Sequence, residues 1–231
     1  MAVRKNQKNL TAQEWTTFID AVAQTHGLGA AAPAYRAFVN VHRKAMNMAD
    51  PVGMSWHVHS MGGMPGTNFL AWHRQFVLRM EHRLQQVHPH LMIPYWDAIT
   101  DRKLPAAMNK PALLAAWGVT RAWNANALAT AADVNVLGQL GAFTTFQKAI
   151  EGAVHGSVHN AIGGDMAGPG SPADPIFWLH HANIDRLWAK WQAAHPGQNP
   201  PNMNETLKPT PLFGVKVSSL VSIAALNYSY Q

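Results

Sequence analysis

Thirteen histidines fall in clusters along 231 residues that contain no cysteine. The missing thiols exclude disulfides, thiolate zinc sites, iron–sulfur clusters and thiolate-ligated electron-transfer coppers, so any metal must be held by nitrogen or oxygen. In HGSVH, His155 and His159 stand four apart, which on a helix puts both imidazoles on one face, able to grip one ion. Gly156 occupies the position where a zinc peptidase of HExxH type needs its glutamate, which excludes that chemistry on this motif. Di-iron bundles need Glu and ExxH pairs, and the apolar stripes here carry histidine with hardly a carboxylate. All-imidazole ligation suits copper, zinc or nickel, and composition does not choose among them.

These side chains need elements to position them. Residues 11–25 read as a first helix, with Thr11 as N-cap and Glu14 closing a capping box, followed by a Gly/Ala-rich loop. From Pro33 onward, Tyr35, Phe38, His42 and Ala45 form one stripe of a second helix, so His42 faces inward. Breakers crowd residues 49–68, predicting a loop that contains His57 and His59. The helix that follows has the stripe Phe69, His73, Phe76, Val77, Met80 and Leu84, with Arg74, Arg79, Glu81, His82 and Arg83 outside it. Residues 88–142 read as loop with short Ala-rich helices, residues 142–155 or beyond as helix, and GGDMAGPGSPADP as loop. Ile176 to Ala193 is a strong helix with the stripe Phe177, His181, Ile184, Trp188 and Trp191. The tail is Pro-rich and then β-prone in VKVSSLVSI, predicting a few short strands on the outside.

One histidine on an apolar face is more often a hydrogen-bonded core residue than a ligand. Inward histidines on four amphipathic helices change that balance, because burying several imidazoles without partners costs a few kcal/mol each, and a metal supplies the shared partner. Hydrophobic residues make up 48% and charged residues 13%, enough apolar material for a compact single domain over residues 1–231. The net charge of +6 is scattered rather than gathered into a run that would track a phosphate backbone, so no nucleic-acid partner is expected. No stretch is long and apolar enough for a membrane span, and the start lacks the apolar segment of a signal peptide, making the cytoplasm the default location.

The segment DPIFWLHHANIDRLW (Asp174–Trp188) resembles the second copper motif of tyrosinases, catechol oxidases and molluscan haemocyanins. FLAWHRQFVLRMEHRL (Phe69–Leu84) is similar to the first motif, and EGAVHGSVHNAIGG (Glu151–Gly164) resembles the helix with the HxxxH pair. VRKN near the start and LNYSY near the end match the family's domain boundaries, so the resemblance covers essentially the whole chain. It implies a mainly α fold: a four-helix bundle core holding a dinuclear copper site, with long loops and a few short peripheral strands.

The resemblance further implies that His42, one loop histidine and His73 hold the first copper, and that His155, His159 and His181 hold the second. His59 is favoured over His57 because a hydrophobic residue, here Val58, usually precedes that ligand. The pattern HxxxD selects His181, four before Asp185, and leaves its neighbour His180, about 100° away on a helix, as a supporting residue. Asp185, Arg74 and Glu151 are the polar groups placed to support the ligands, with Asp185 and Arg74 as a buried pair. His26, His82, His88, His90 and His195 read as solvated surface residues. Arg4 is expected to pack against Tyr228 and Tyr230 in a cation–π contact of about 0.5–2 kcal/mol.

The implied chemistry is the oxidation of small phenolic substrates by dioxygen at two copper ions, converting catechols to ortho-quinones, with weaker ortho-hydroxylation of monophenols. Glu151, Gly156 and Asn160 are the expected controls on that balance. Many hydroxylating members carry Asn after the first histidine of the HxxxH pair, whereas this chain has Gly156 there and Asn160 after the second. An oxygen-carrying haemocyanin-like protein is the alternative class. Its units have a further domain or a shielding residue over the metal, and none is expected in this chain beyond LNYSY. A histidine-rich zinc-binding helical protein is a third reading.

Overall fold

The computed structural model describes residues 1–26, 32–210 and 212–231. Nine α-helices are described: α1 (Ala12–His26), α2 (Ala32–Ala45), α3 (Pro51–Met54), α4 (Phe69–Gln85), α5 (Pro111–Trp117), α6 (Ala131–Gln139), α7 (Phe143–Ala149), α8 (Gly156–Ile162) and α9 (Ile176–Ala194). Two strands, β1 (Ala2–Arg4) and β2 (Tyr228–Tyr230), pair in parallel. The fold is thus mainly α with long connections. The Gly/Ala-rich loop expected after α1 lies outside the described residues.

Local chemistry sets the helix boundaries. The Thr11 amide donates to Glu14 Oε2 at 2.8 Å and the Glu14 amide donates to Thr11 Oγ1 at 3.1 Å, completing the capping box. The stripe Tyr35, Phe38, His42 and Ala45 of α2 is buried, as is the stripe Phe177, His181, Ile184, Trp188 and Trp191 of α9. Helix α4 packs against α9 and is buried on more than one face. Arg74 and Glu81, which fall outside its apolar stripe, are 0% and 1% exposed.

Those charges are buried because each has a partner far along the chain. Arg74 forms an ion pair with Asp185, and its guanidinium lies 3.6 Å from the Trp188 ring centroid. Arg4 Nε donates to Glu81 Oε2 at 2.9 Å and Arg4 Nη1 to Asp185 Oδ2 at 3.2 Å. Tyr228 OH donates to Asp185 Oδ2 at 2.6 Å, and the Arg4 guanidinium stacks 3.9 Å from the Tyr228 ring centroid. Burial raises the Asp185 pKa, but Arg74 and Arg4 outweigh it and hold the carboxyl below its ordinary value. The expected cation–π contact is present, embedded in a larger buried network of two arginines and two carboxylates.

Three expectations are corrected. VKVSSLVSI forms a short 3-10 turn at Val217–Leu220 and one bridge from Lys216 to Thr206 instead of strands. The helix expected through residue 155 is interrupted by a π-helical turn, Ile150–His155, between α7 and α8. Not all the remaining histidines are solvated: His26 is half-buried with Nε2 2.7 Å from the Ala173 carbonyl, and His195 stacks on Trp191 at 4.7 Å.

Candidate metal centre

Six structural units bring histidines to one place. Helix α2 contributes His42 and α4 contributes His73, while the loop between α3 and α4 contributes His59. Ring centroids of His42 and His59 are 5.3 Å apart, His59 and His73 5.0 Å, and His42 and His73 5.8 Å. The loop is pinned to α4, because the Asn68 amide donates to the His57 carbonyl and the Asn68 side chain donates to the Trp56 carbonyl, both at 2.9 Å. His57 has φ of 51° and stays half-buried outside the group. The structure therefore places His59 beside His42 and His73 and leaves His57 outside that group.

The second group comes from the π-turn, α8 and α9. His155 and His159 lie 4.5 Å apart by ring centroid, and His159 Nε2 is 3.4 Å from His181 Nε2. His181 also stacks on His73 at 4.2 Å, which seats it between the two groups. His180 joins this second group, with ring centroids 5.4 Å from His155 and 5.1 Å from His159. One nitrogen from each of His155, His159, His180 and His181 falls within 4.8 Å of the others, as does one from each of His42, His59 and His73. His180 and His181 point about 100° apart on a helix, yet both rings reach this group. The large imidazoles reach across that offset, and a helical-wheel argument measures direction but not reach.

Hydrogen bonding fixes which nitrogen four of the rings offer. The Nδ1 atoms of His42, His73, His155 and His159 lie 2.8, 2.9, 3.0 and 2.7 Å from the carbonyls of Pro169, Phe69, Glu151 and Met166. A carbonyl only accepts, so each Nδ1 carries the proton and a neutral ring keeps its lone pair on Nε2. Burial pushes the His42 pKa down to about 3 and the His159 pKa to about 4, and holds His59, His73, His155 and His181 well below the ordinary value. The rings are neutral at pH 7. Nε2 of His42, His59, His73 and His155, and Nδ1 of His181, are buried without any hydrogen-bond partner. Arg74 and Asp185 touch none of the rings through a hydrogen bond; as the expected buried pair, they tie α4 to α9. Backbone carbonyls orient the imidazoles.

Convergent unpartnered lone pairs on neutral rings fit divalent or monovalent metal ions that accept nitrogen. The surround is apolar: Phe177 packs 4.1 Å from His181 and 5.2 Å from His42, and Phe69 packs 4.8 Å from His155. A cavity of about 180 Å³ leads from buried His42, His59 and His155 past Gly156 to exposed Asn160. A larger groove of about 680 Å³ runs along β1, α1 and residues 89–94 and holds none of the clustered imidazoles. Glu151 is turned toward the His59 loop: its Oε1 accepts from the Ser60 amide at 2.6 Å, its Oε2 accepts from Ser60 Oγ at 2.8 Å, and its Oε1 is 3.7 Å from His59 Nδ1. Burial raises the Glu151 pKa against the lowering effect of those bonds.

A mainly helical scaffold brings together two adjoining histidine groups, one drawn from α2, α4 and the loop before α4, the other from the π-turn, α8 and α9, and each could hold a metal ion. The chain matches the common central domain of tyrosinase over residues 32–126 and 116–194. It is 32% identical to the tyrosinase of Streptomyces antibioticus, with 90% of this chain and 93% of that protein aligned. It is 31% identical to the tyrosinase of Streptomyces glaucescens over 85% of each. Its fold is similar to an octopus haemocyanin functional unit (TM-score 0.76, 23% identity, 100% of this chain and 68% of that one). A polyphenol oxidase from Thermothelomyces thermophila is also similar in fold (TM-score 0.73, 18% identity, 100% of this chain and 89% of that one). The chain belongs to the tyrosinase family and is an oxidoreductase of the tyrosinase type, a copper oxidase of phenols. Among the described residues, no helix is long and apolar enough to cross a membrane.

Proposed function

We propose that the chain binds two copper ions and uses dioxygen to oxidise catechols to ortho-quinones, with slower ortho-hydroxylation of monophenols. The observation that carries this reading is the convergence of buried, neutral imidazoles whose lone pairs have no partner in the protein. His42, His59 and His73 hold one copper, and His155, His159 and His181 hold the other. His181 is chosen over His180 because it stacks on His73 and so faces the first group, whereas His180 lies against His155 and His159. When bound, the copper pair supplies the two-electron oxidation of substrate by dioxygen.

The protein's own part is to bind, orient and exclude water. Carbonyl-anchored Nδ1 protons keep His42, His73, His155 and His159 in one tautomer and fix the direction of their lone pairs. Phe69 and Phe177 keep the ligand atoms dry. A phenol must lose its proton to meet a metal, and its pKa near 10 makes that step unfavourable at neutral pH without a base. Asn160 is exposed, Gly156 offers no side chain, and the Glu151 carboxylate is held by Ser60, so little at the cavity is arranged to take that proton. Catechols, with a second acidic hydroxyl, are the better substrates.

The test is metal analysis of the folded protein together with oxygen uptake on a catechol and on the matching monophenol. The expected result is two coppers per chain and faster uptake with the catechol. Full occupancy by zinc, with no oxygen uptake after copper loading, would refute the proposal.

A further inference from the structure

Five of the chain's 11 methionines fall within residues 46–64, the segment that also carries His59. Met80, Met108 and Met166 belong to the hydrophobic core, whereas Met46, Met48, Met54, Met61 and Met64 belong neither to it nor to the half-buried side chains packed on it. Met48 is 68% exposed, and the other four are half-buried. Packing does not account for such a concentration of thioethers in water.

The loop gathers them. Met61 and Met64 exchange both backbone hydrogen bonds, at 3.1 and 2.9 Å, around Gly62 and Gly63, whose φ values of 56° and 79° permit the tight turn. A β-carbon built on Gly62 would lie 3.8 Å from Met48 Sδ and 3.7 Å from Met54 Cε, so two thioethers from outside the hairpin close over its turn. Met46, on the same segment, lines the imidazole cavity together with His42 and His59.

We propose that Met48, Met54, Met61 and Met64 form a docking site for cuprous ion, and that Met46 leads from it to the group of His42, His59 and His73. Thioethers are soft, uncharged donors that favour Cu(I) over harder or more highly charged ions, and the imidazoles behind them bind more strongly. An ion captured at the hairpin therefore has a downhill path into the cavity, and no electron transfer is needed on the way. The delivery step rests on the copper reading above, while the docking site can be tested without it.

The experiment uses the full chain with methyl-labelled methionine, titrated with Ag(I) as a redox-inert soft ion and followed by NMR. The methyl signals of Met48, Met54, Met61 and Met64 should shift together and saturate, while Met1 and Met92, which lie elsewhere, stay in place. A volume-conserving variant carrying Met54→Leu and Met61→Leu should take up copper from a Cu(I) donor about tenfold more slowly, the scale of losing a supporting contact at a metal site, with uptake from Cu(II) unchanged. No shift, or shifts shared equally with Met1 and Met92, would overturn the proposal, as would equal Cu(I) uptake by variant and parent. If the four methyls shift but the imidazoles never take copper, the docking site stands and the assigned function fails.

Discussion

Removing metal should make this protein acid-sensitive well above the range where carboxylates titrate. His42 is 1% exposed, and burial pushes its pKa down to about 3. In the unfolded chain a histidine titrates near 6.5, so between about pH 6.5 and 3 the unfolded state binds the extra proton. Stability contributed by the neutral buried ring is therefore intact above pH 6.5 and falls as pH drops through that window. At about 1.4 kcal/mol per pH unit, His42 alone costs about 2 kcal/mol at pH 5, or a fall of about 4–8 °C in Tm for a chain of this size. His59, His73, His155, His159 and His181 are shifted in the same direction, so this is a lower bound. Thermal melts of the chelated protein at pH 7.5 and 5, followed by circular dichroism, measure the effect. The metal-loaded protein should hold its Tm over the same range, because a bound ion occupies the lone pairs that protons would take. A metal-free Tm that moves by less than about 2 °C between the two pH values would refute the claim that these rings are buried neutral.

His59→Ala should lose one of the two coppers while His57→Ala keeps both, a difference that metal analysis reads directly. Gly156→Asn should raise the ratio of monophenol to catechol oxidation measured by oxygen uptake; a β-carbon there meets nothing closer than the Glu151 carbonyl at 3.7 Å, so the variant should fold. Glu151→Gln should loosen Ser60 and the loop that carries His59, lowering copper occupancy as read by metal analysis. Arg4→Ala should cost about 3–5 kcal/mol, since it leaves the buried Glu81 carboxylate without its charged partner while Asp185 keeps Arg74, and should drop Tm by about 6–20 °C with copper content unchanged. That is more than an isolated cation–π contact would give, and an unchanged melting curve would contradict the buried network.

Much of the site was legible because its histidines interrupt apolar stripes. Tyr35, Phe38 and Ala45 show which way His42 points, and Phe177, Ile184 and Trp188 do the same for His181, since helical periodicity ties neighbours to one face. His59 has no such frame, because a loop has no period. Its place came from a resemblance and was then found in the geometry. The burial of Arg74 and Glu81 was hidden for a different reason: local patterning reads a charge as outward, and the partners Asp185 and Arg4 are over 75 residues away. The β-branched run VKVSSLVSI has the propensity for a strand but no neighbouring edge to pair with, and propensity without a partner does not make a sheet.

The pairing of β1 with β2 fixes an order of events during synthesis. Ala2 to Arg4 find their strand partners only in Tyr228 to Tyr230, which are made far later in the same chain. Arg4 meets Glu81 early, but its second carboxylate, Asp185, and the tyrosine that shares that carboxylate arrive far later. The histidine-bearing segments must therefore come together before the clasp between β1 and β2 can form, and contacts of such long sequence separation form slowly. Until that clasp closes, Asp185 lacks Tyr228 and Tyr230, and the link between α9 and α4 at this network rests on the two arginines alone.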